Sequence, residues 1–229
     1  MVTPREKIRP SQLQMLPQTI KYLLIVNALL FVITNIFYYL LDYNLFDALA
    51  LHQPRSEKFS YVQLITHLFM HANTLHIFLN MFVLWMFGGV LEHVWHQKKF
   101  LFYYFFTGAG AAALHLLIRK FTLDSLNEEV MQYLQNPSYE AFKAFAQKHA
   151  GRMPQEMARE LEQIKNGWEA TPASMMYLTQ STEWMRDFYE FQVNIPTVGA
   201  SGSVYGVLLA FGVIFPNVLI YLYFLIPIK

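Results

Sequence analysis

The chain has 229 residues, 55% of them hydrophobic and 17% aromatic, while 14% are charged and the formal net charge is +1. Soluble domains carry about a quarter charged residues, so this deficit excludes an ordinary water-soluble enzyme. The near-neutral charge, with no basic stripe interleaved with aromatics, gives no reason to expect a nucleic-acid partner, and the absence of cysteine excludes disulfides and thiolate chemistry.

Residues 1–20 form a polar, proline-punctuated tail carrying Arg5, Lys7 and Arg9. Lys21–Leu41 is the first apolar run, and no small-residue cleavage site follows it, so it reads as a retained span rather than a signal peptide. The basic flank then puts the N-terminus in the cytoplasm. Asp42–Thr66, with Pro54 and scattered aromatics, reads as an irregular outward segment near the interface. A polar stretch from His71 to Asn80 leads into the apolar run Met81–Leu91, and His93, His96, Lys98 and Lys99 mark the next inward loop. Phe100–Ile118 is a third run, whose Gly108-Ala109-Gly110-Ala111 stretch favours close helix packing.

Residues 119–192 break the pattern with a charge-mixed insert on the outer side, within which helices are predicted over Ser138–Ala150 and from Pro154 to Asn166, with Gly167 as C-cap. Val198–Phe215 is the fourth run. Segments of about 17–25 residues are what a helix needs to cross roughly 30 Å of hydrocarbon. Three runs have that length and Met81–Leu91 continues the His71–Asn80 helix, so four spans are expected and the chain reads as an all-α polytopic membrane protein. After Pro216-Asn217 the apolar Val218–Ile228 is too short to cross a bilayer and reads as the start of a fifth span, so the chain is expected to be a piece of a longer protein. The domain reading is therefore 1–20 tail, 21–118 spans one to three, 119–192 insert, and 193–229 span four with the beginning of span five.

The chemistry is read from two places. Ser201 stands in Gly199-Ala200-Ser201-Gly202 at the head of the fourth run. The glycines leave its hydroxyl uncrowded, and a helix start offers free N–H groups to developing negative charge. His76 and Asn80, four residues apart, project from one helix face. Polar side chains within apolar helices are costly and mark functional sites. Together they read as a serine nucleophile with oxyanion donors: His76, Asn80 and the Ser201 backbone N–H.

The stretches Thr66-His67 through His71 and His76 to Asn80-Met81, then Phe87-Gly88-Gly89 to Glu92, then Gly199-Ala200-Ser201-Gly202 to Tyr205-Gly206, closely resemble the rhomboid intramembrane serine proteases in order and spacing. The resemblance implies a six-helix membrane bundle of which about four spans are present. It also implies catalysis by Ser201 without metal or cofactor, an oxyanion site lined by His76 and Asn80, and Tyr205 packed against a catalytic histidine. Substrates would be transmembrane proteins cut near the outer membrane surface. That histidine belongs to a sixth span, and no stretch here matches its motif, so residues 1–229 alone are expected to be inactive. The alternative is a rhomboid-like pseudoprotease that binds or chaperones membrane clients.

His67 and His71, spaced i, i+4, could hold a metal, but the glutamate a zincin site needs is replaced by Leu68, and they read instead as buried, hydrogen-bonded histidines. Glu92 reads as a helix-end charge paired with a basic group. Absent cysteines and glycosylation sequons fit a bacterial inner membrane.

Overall fold

A computed structural model describes residues 16–218, 220–222 and 226–228. The basic cluster Arg5, Lys7 and Arg9 lies outside the described residues. The fold is helical: α1 (Gln18–Leu41), α2 (Leu45–Leu49), α3 (Gln63–Thr66) running into a 3₁₀ turn at His67–Phe69, α4 (Thr74–Val83), a π-helical turn at Leu84–Gly88, α5 (Gly89–Gln135), α6 (Tyr139–His149), α7 (Gln155–Ala170), α8 (Met175–Asn194) and α9 (Ser201–Ile214). Two short strands, β1 (Ile220–Leu222) and β2 (Ile226–Ile228), pair antiparallel with Ile220 opposite Ile228. They occupy the segment expected to begin a fifth span, where Pro227 removes a helix donor.

Among the described residues two helical stretches are long and apolar enough to cross a membrane, Gln18–Leu41 and the 62-residue Thr74–Gln135. The second contains the expected second and third spans, separated by a single non-helical residue, His96 (φ 63°, ψ 165°). In a straight helix Gly88 and Phe100 would lie about 18 Å apart along the axis. A Cβ at Gly88 would instead stand 3.3 Å from the Phe100 ring. The chain therefore reverses at His96. Past Ile118 no proline or glycine intervenes before Pro137, so α5 continues into the predicted insert as far as Gln135. The fourth apolar run is helical only from Ser201, giving 14 residues.

The chain divides into two compact units. The first comprises the described residues up to Leu51, Ser60–Leu114 and those from Pro196 onward; the second comprises His52–Phe59 and His115–Ile195.

In the first unit Ile20, Leu23, Leu84, Phe87, Leu91, Phe100, Tyr104 and Val207 form the buried cluster. Glu92 is buried at its edge, but its partner is not a basic side chain. Its two carboxylate oxygens each accept, at 3.0 Å, from the backbone N–H of Thr19 and Ile20. These are orphan donors of the first turn of α1, where a negative charge is favoured by the helix dipole. Small residues let α5 and α9 touch. A Cβ at Gly202 would lie 2.5 Å from the Ala111 Cβ, and one at Gly206 would lie 2.5 Å from the Thr107 hydroxyl. The buried Ser203 hydroxyl donates to the Tyr104 carbonyl at 2.7 Å.

The second unit has its own core, built from Leu126, Tyr133, Phe142, Leu161, Trp168, Trp184 and Phe188 among others. The Ser138 side chain caps α6 by accepting from the Ala141 N–H. Gly167 is not the C-cap of α7, which runs on to Ala170. It sits against Tyr177, whose ring occupies the space a side chain at 167 would need.

Candidate active site

Asn73 begins the site. Its side chain accepts from the His76 N–H at 2.8 Å and caps α4, fixing the turn on which His76 stands. One turn later the Asn80 amide donates to the His76 carbonyl at 3.1 Å, which uses one of its two N–H bonds and leaves the other for a ligand. Asn80 is buried and His76 half-buried.

On the other side stands the loop that leads into α9. Thr197 and Leu51 exchange two backbone hydrogen bonds, at 2.8 and 2.9 Å. The Gly199 N–H donates to the His67 carbonyl at 2.9 Å. Gly199 has φ +110°, a conformation that disfavours any side chain. It is also the point of closest approach to α4: a Cβ there would stand 2.7 Å from both Cε1 and Nε2 of His76 and 3.8 Å from Nδ2 of Asn80. Glycine is required twice over, by torsion and by the imidazole facing it.

Two residues on, Ser201 opens α9 and is partly exposed. No side chain caps this helix, and its first internal backbone bond is Val204 N–H to the Ala200 carbonyl. The N–H groups of Ser201, Gly202 and Ser203 thus form the unsatisfied positive end of the helix dipole. His76, Asn80, Gly199 and the start of α9 are brought together. His76 and Asn80 flank Gly199, two residues before the serine, and an imidazole, an amide and free backbone donors are groups of the kind that stabilise a tetrahedral oxyanion. Tyr205 is not drawn into this group. Its ring is 72% exposed, because one turn along α9 it leaves the face that packs on α5.

The histidines read as structural are placed in more detail. His67 is buried, with Nδ1 2.7 Å from the Gln63 carbonyl, and its own carbonyl holds Gly199. His71 is buried, with Nδ1 3.3 Å from the Phe69 carbonyl, and its ring meets that of His76 edge-on at 5.1 Å. Burial, reinforced by the neighbouring charge of His76 and opposed by the Phe69 carbonyl, lowers its pKa to about 4, so it is neutral at neutral pH. No group of three metal-ligating side chains occurs among the described residues.

The sequence reading missed Asn73 and the His67 carbonyl. An asparagine just before an apolar helical run was the available signal for the first. A backbone carbonyl leaves no signal in a sequence.

A family model, the Rhomboid domain, matches residues 58–124, which span the His67–Asn80 stretch and the whole of the apolar runs Met81–Leu91 and Phe100–Ile118. No curated protein and no solved structure matches the chain.

Proposed function

We propose that this chain, in which a Rhomboid domain model matches residues 58–124, is an integral membrane protein of the rhomboid family and of the catalytic kind, an intramembrane serine endopeptidase rather than a pseudoprotease. The observation that carries the reading is Gly199 pressed against His76 and Asn80 two residues before Ser201. A scaffold that only bound clients has no need of an imidazole and an amide held against the loop just before a serine that opens an uncapped helix.

In this proposal Ser201 Oγ attacks the carbonyl carbon of a substrate peptide bond while its proton passes to a base. The oxygen gains negative charge as the tetrahedral centre forms. His76, Asn80 and the Ser201 N–H donate to it, and collapse expels the amine to leave an acyl-serine that water then hydrolyses. By the resemblance the base is a histidine of a sixth span. Gly199 supports the site by its torsion and Gly202 by seating α9 on α5, while the exposed Tyr205 is left to pack against the histidine of the sixth span. The substrates are transmembrane segments near the outer surface, with the N-terminus of the enzyme cytoplasmic in a bacterial inner membrane. A substrate helix must unwind locally, because its carbonyls are otherwise committed to the helical ladder.

A fluorophosphonate probe applied to the full-length protein in membranes tests the nucleophile. Labelling is expected in the wild type and absent in Ser201→Ala. Equal labelling of the two, or none in the wild type, overturns the proposal and favours the client-binding reading.

A further inference from the structure

The second unit holds a cavity of about 280 Å³ that the serine chemistry leaves unused. Arg119, Glu129, Lys148, His149, Arg152 and Gln192 are among its walls. Three cations face one carboxylate, and that carboxylate is already committed. Glu129 accepts from Lys148 Nζ at 2.6 Å and lies 3.1 Å from His149 Nε2. Neither arginine makes an ion pair among the described residues. Arg119 donates to the backbone carbonyl of Gln192, and the Gln192 side chain donates to the backbone carbonyl of Arg152 at 2.6 Å. These bonds hold both residues in place and neutralise nothing.

The second observation is His149 itself. It is 3% exposed, packed against Phe145 at 4.3 Å between ring centroids, and its Nδ1 is buried with no hydrogen-bond partner. With Nε2 committed to Glu129, Nδ1 is the ring's one remaining hydrogen-bonding atom and is left without a partner. A buried polar atom without a partner is rare and calls for a ligand or water.

We propose that this cavity binds a phosphate oxyanion, with Arg119, Arg152 and Lys148 supplying charge-assisted donors and His149 Nδ1 completing the shell. Guanidinium groups match phosphate in planar, two-point geometry. The chemistry fits free phosphate and a lipid headgroup alike. Arg119 directly follows the apolar run ending at Ile118, so on the reading of that run as a span it lies at headgroup level. This site is separate from the serine centre and stands whether or not that centre is catalytic.

Two measurements on the full chain separate the sources. In uncharged detergent, inorganic phosphate is titrated by calorimetry against chloride of matched ionic strength. In nanodiscs of phosphatidylcholine, alone or mixed with phosphatidylglycerol, retained lipid is read by native mass spectrometry. The K148Q/R152Q variant is the probe, since both side chains are exposed at the rim and the fold should survive, as circular dichroism would verify. Loss of two charge-assisted donors should weaken phosphate binding about tenfold or more. Lys165→Gln, outside the cavity, should bind as wild type does. Saturable phosphate binding lost in the variant identifies a soluble anion. Retention of phosphatidylglycerol lost in the variant identifies a headgroup. Binding of neither probe by the wild type, or equal binding by wild type and K148Q/R152Q, overturns the site.

Discussion

Helix α1 of the first unit and helix α7 of the second expose opposite kinds of residue. Along α1 the buried positions are Thr19, Ile20, Leu23, Asn27 and Thr34, three of the five polar, while Ile25, Val26, Leu29, Val32, Ile33 and Ile36 are exposed. Along α7 the buried positions are Leu161, Ile164 and Trp168, and Glu160, Glu162 and Gln163 face outward. Both patterns have helical spacing, yet the polarity of their exposed faces is inverted. The reason is the solvent. Against hydrocarbon, apolar surface gains nothing by burial, so contacts go to small and polar residues that can pack or hydrogen-bond. Against water, burying aliphatic and aromatic surface is the main driving force. One chain thus carries two rules of assembly.

The comparison is broken most directly at Trp184, which stacks on Phe188 with centroids 5.3 Å apart and is 3% exposed. Trp184→Ala should destabilise the second unit by about 3–5 kcal/mol, since a buried aromatic leaves both lost transfer energy and a cavity. Limited proteolysis in detergent should show cleavage confined to residues 115–195. If the first unit becomes equally sensitive, the two do not follow separate rules.

Gly199 comes next. Gly199→Val meets the His76 ring and an unfavourable φ at once, and the displaced donor should slow probe labelling of Ser201 by about 10²–10³, the loss typical of one oxyanion donor. Labelling within a few-fold of wild type would remove His76 from the site.

Gly202 tests small-residue packing. Gly202→Val should cost about 1–3 kcal/mol by over-packing against Ala111. Ala111→Gly in the same chain should restore part of the loss, read as the coupling in a double-mutant cycle of thermal melts. No coupling would mean that α5 and α9 are not held by that contact.

The smallest effect is at His71. Its folded pKa, about 4, lies below its ordinary 6.5, so protons bind preferentially to the unfolded chain. Its contribution to stability is fully present above 6.5 and is lost as pH falls from there through about 4. Melting temperatures of wild type and His71→Gln should therefore diverge in slope across that window, with the variant less acid-sensitive. Parallel curves would show that the burial of His71 does not depend on its neutrality.

Much of this was legible in the order of residues. The four apolar runs, the His76–Asn80 pair on one helix face, the glycines around Ser201 and a helical insert all follow from composition and period, because hydrocarbon and water each enforce a simple pattern along a helix. What the order of residues could not supply was pairing across the chain. Glu92 read as half of an ion pair and instead caps α1 through two backbone N–H groups. Gly167 read as a helix end and instead makes room for Tyr177.

The sequence by itself determined that this is a helical protein with membrane-length apolar runs and a serine at a helix start, since those properties rest on local periodicity and short motifs. The tertiary structure alone decided that Gly199 meets His76, that His67 lends its carbonyl to the serine loop, and that Arg119, Lys148 and Arg152 share one cavity. Each of those contacts joins residues far apart in the chain, and backbone groups or empty space, which no residue letter encodes, do much of the joining.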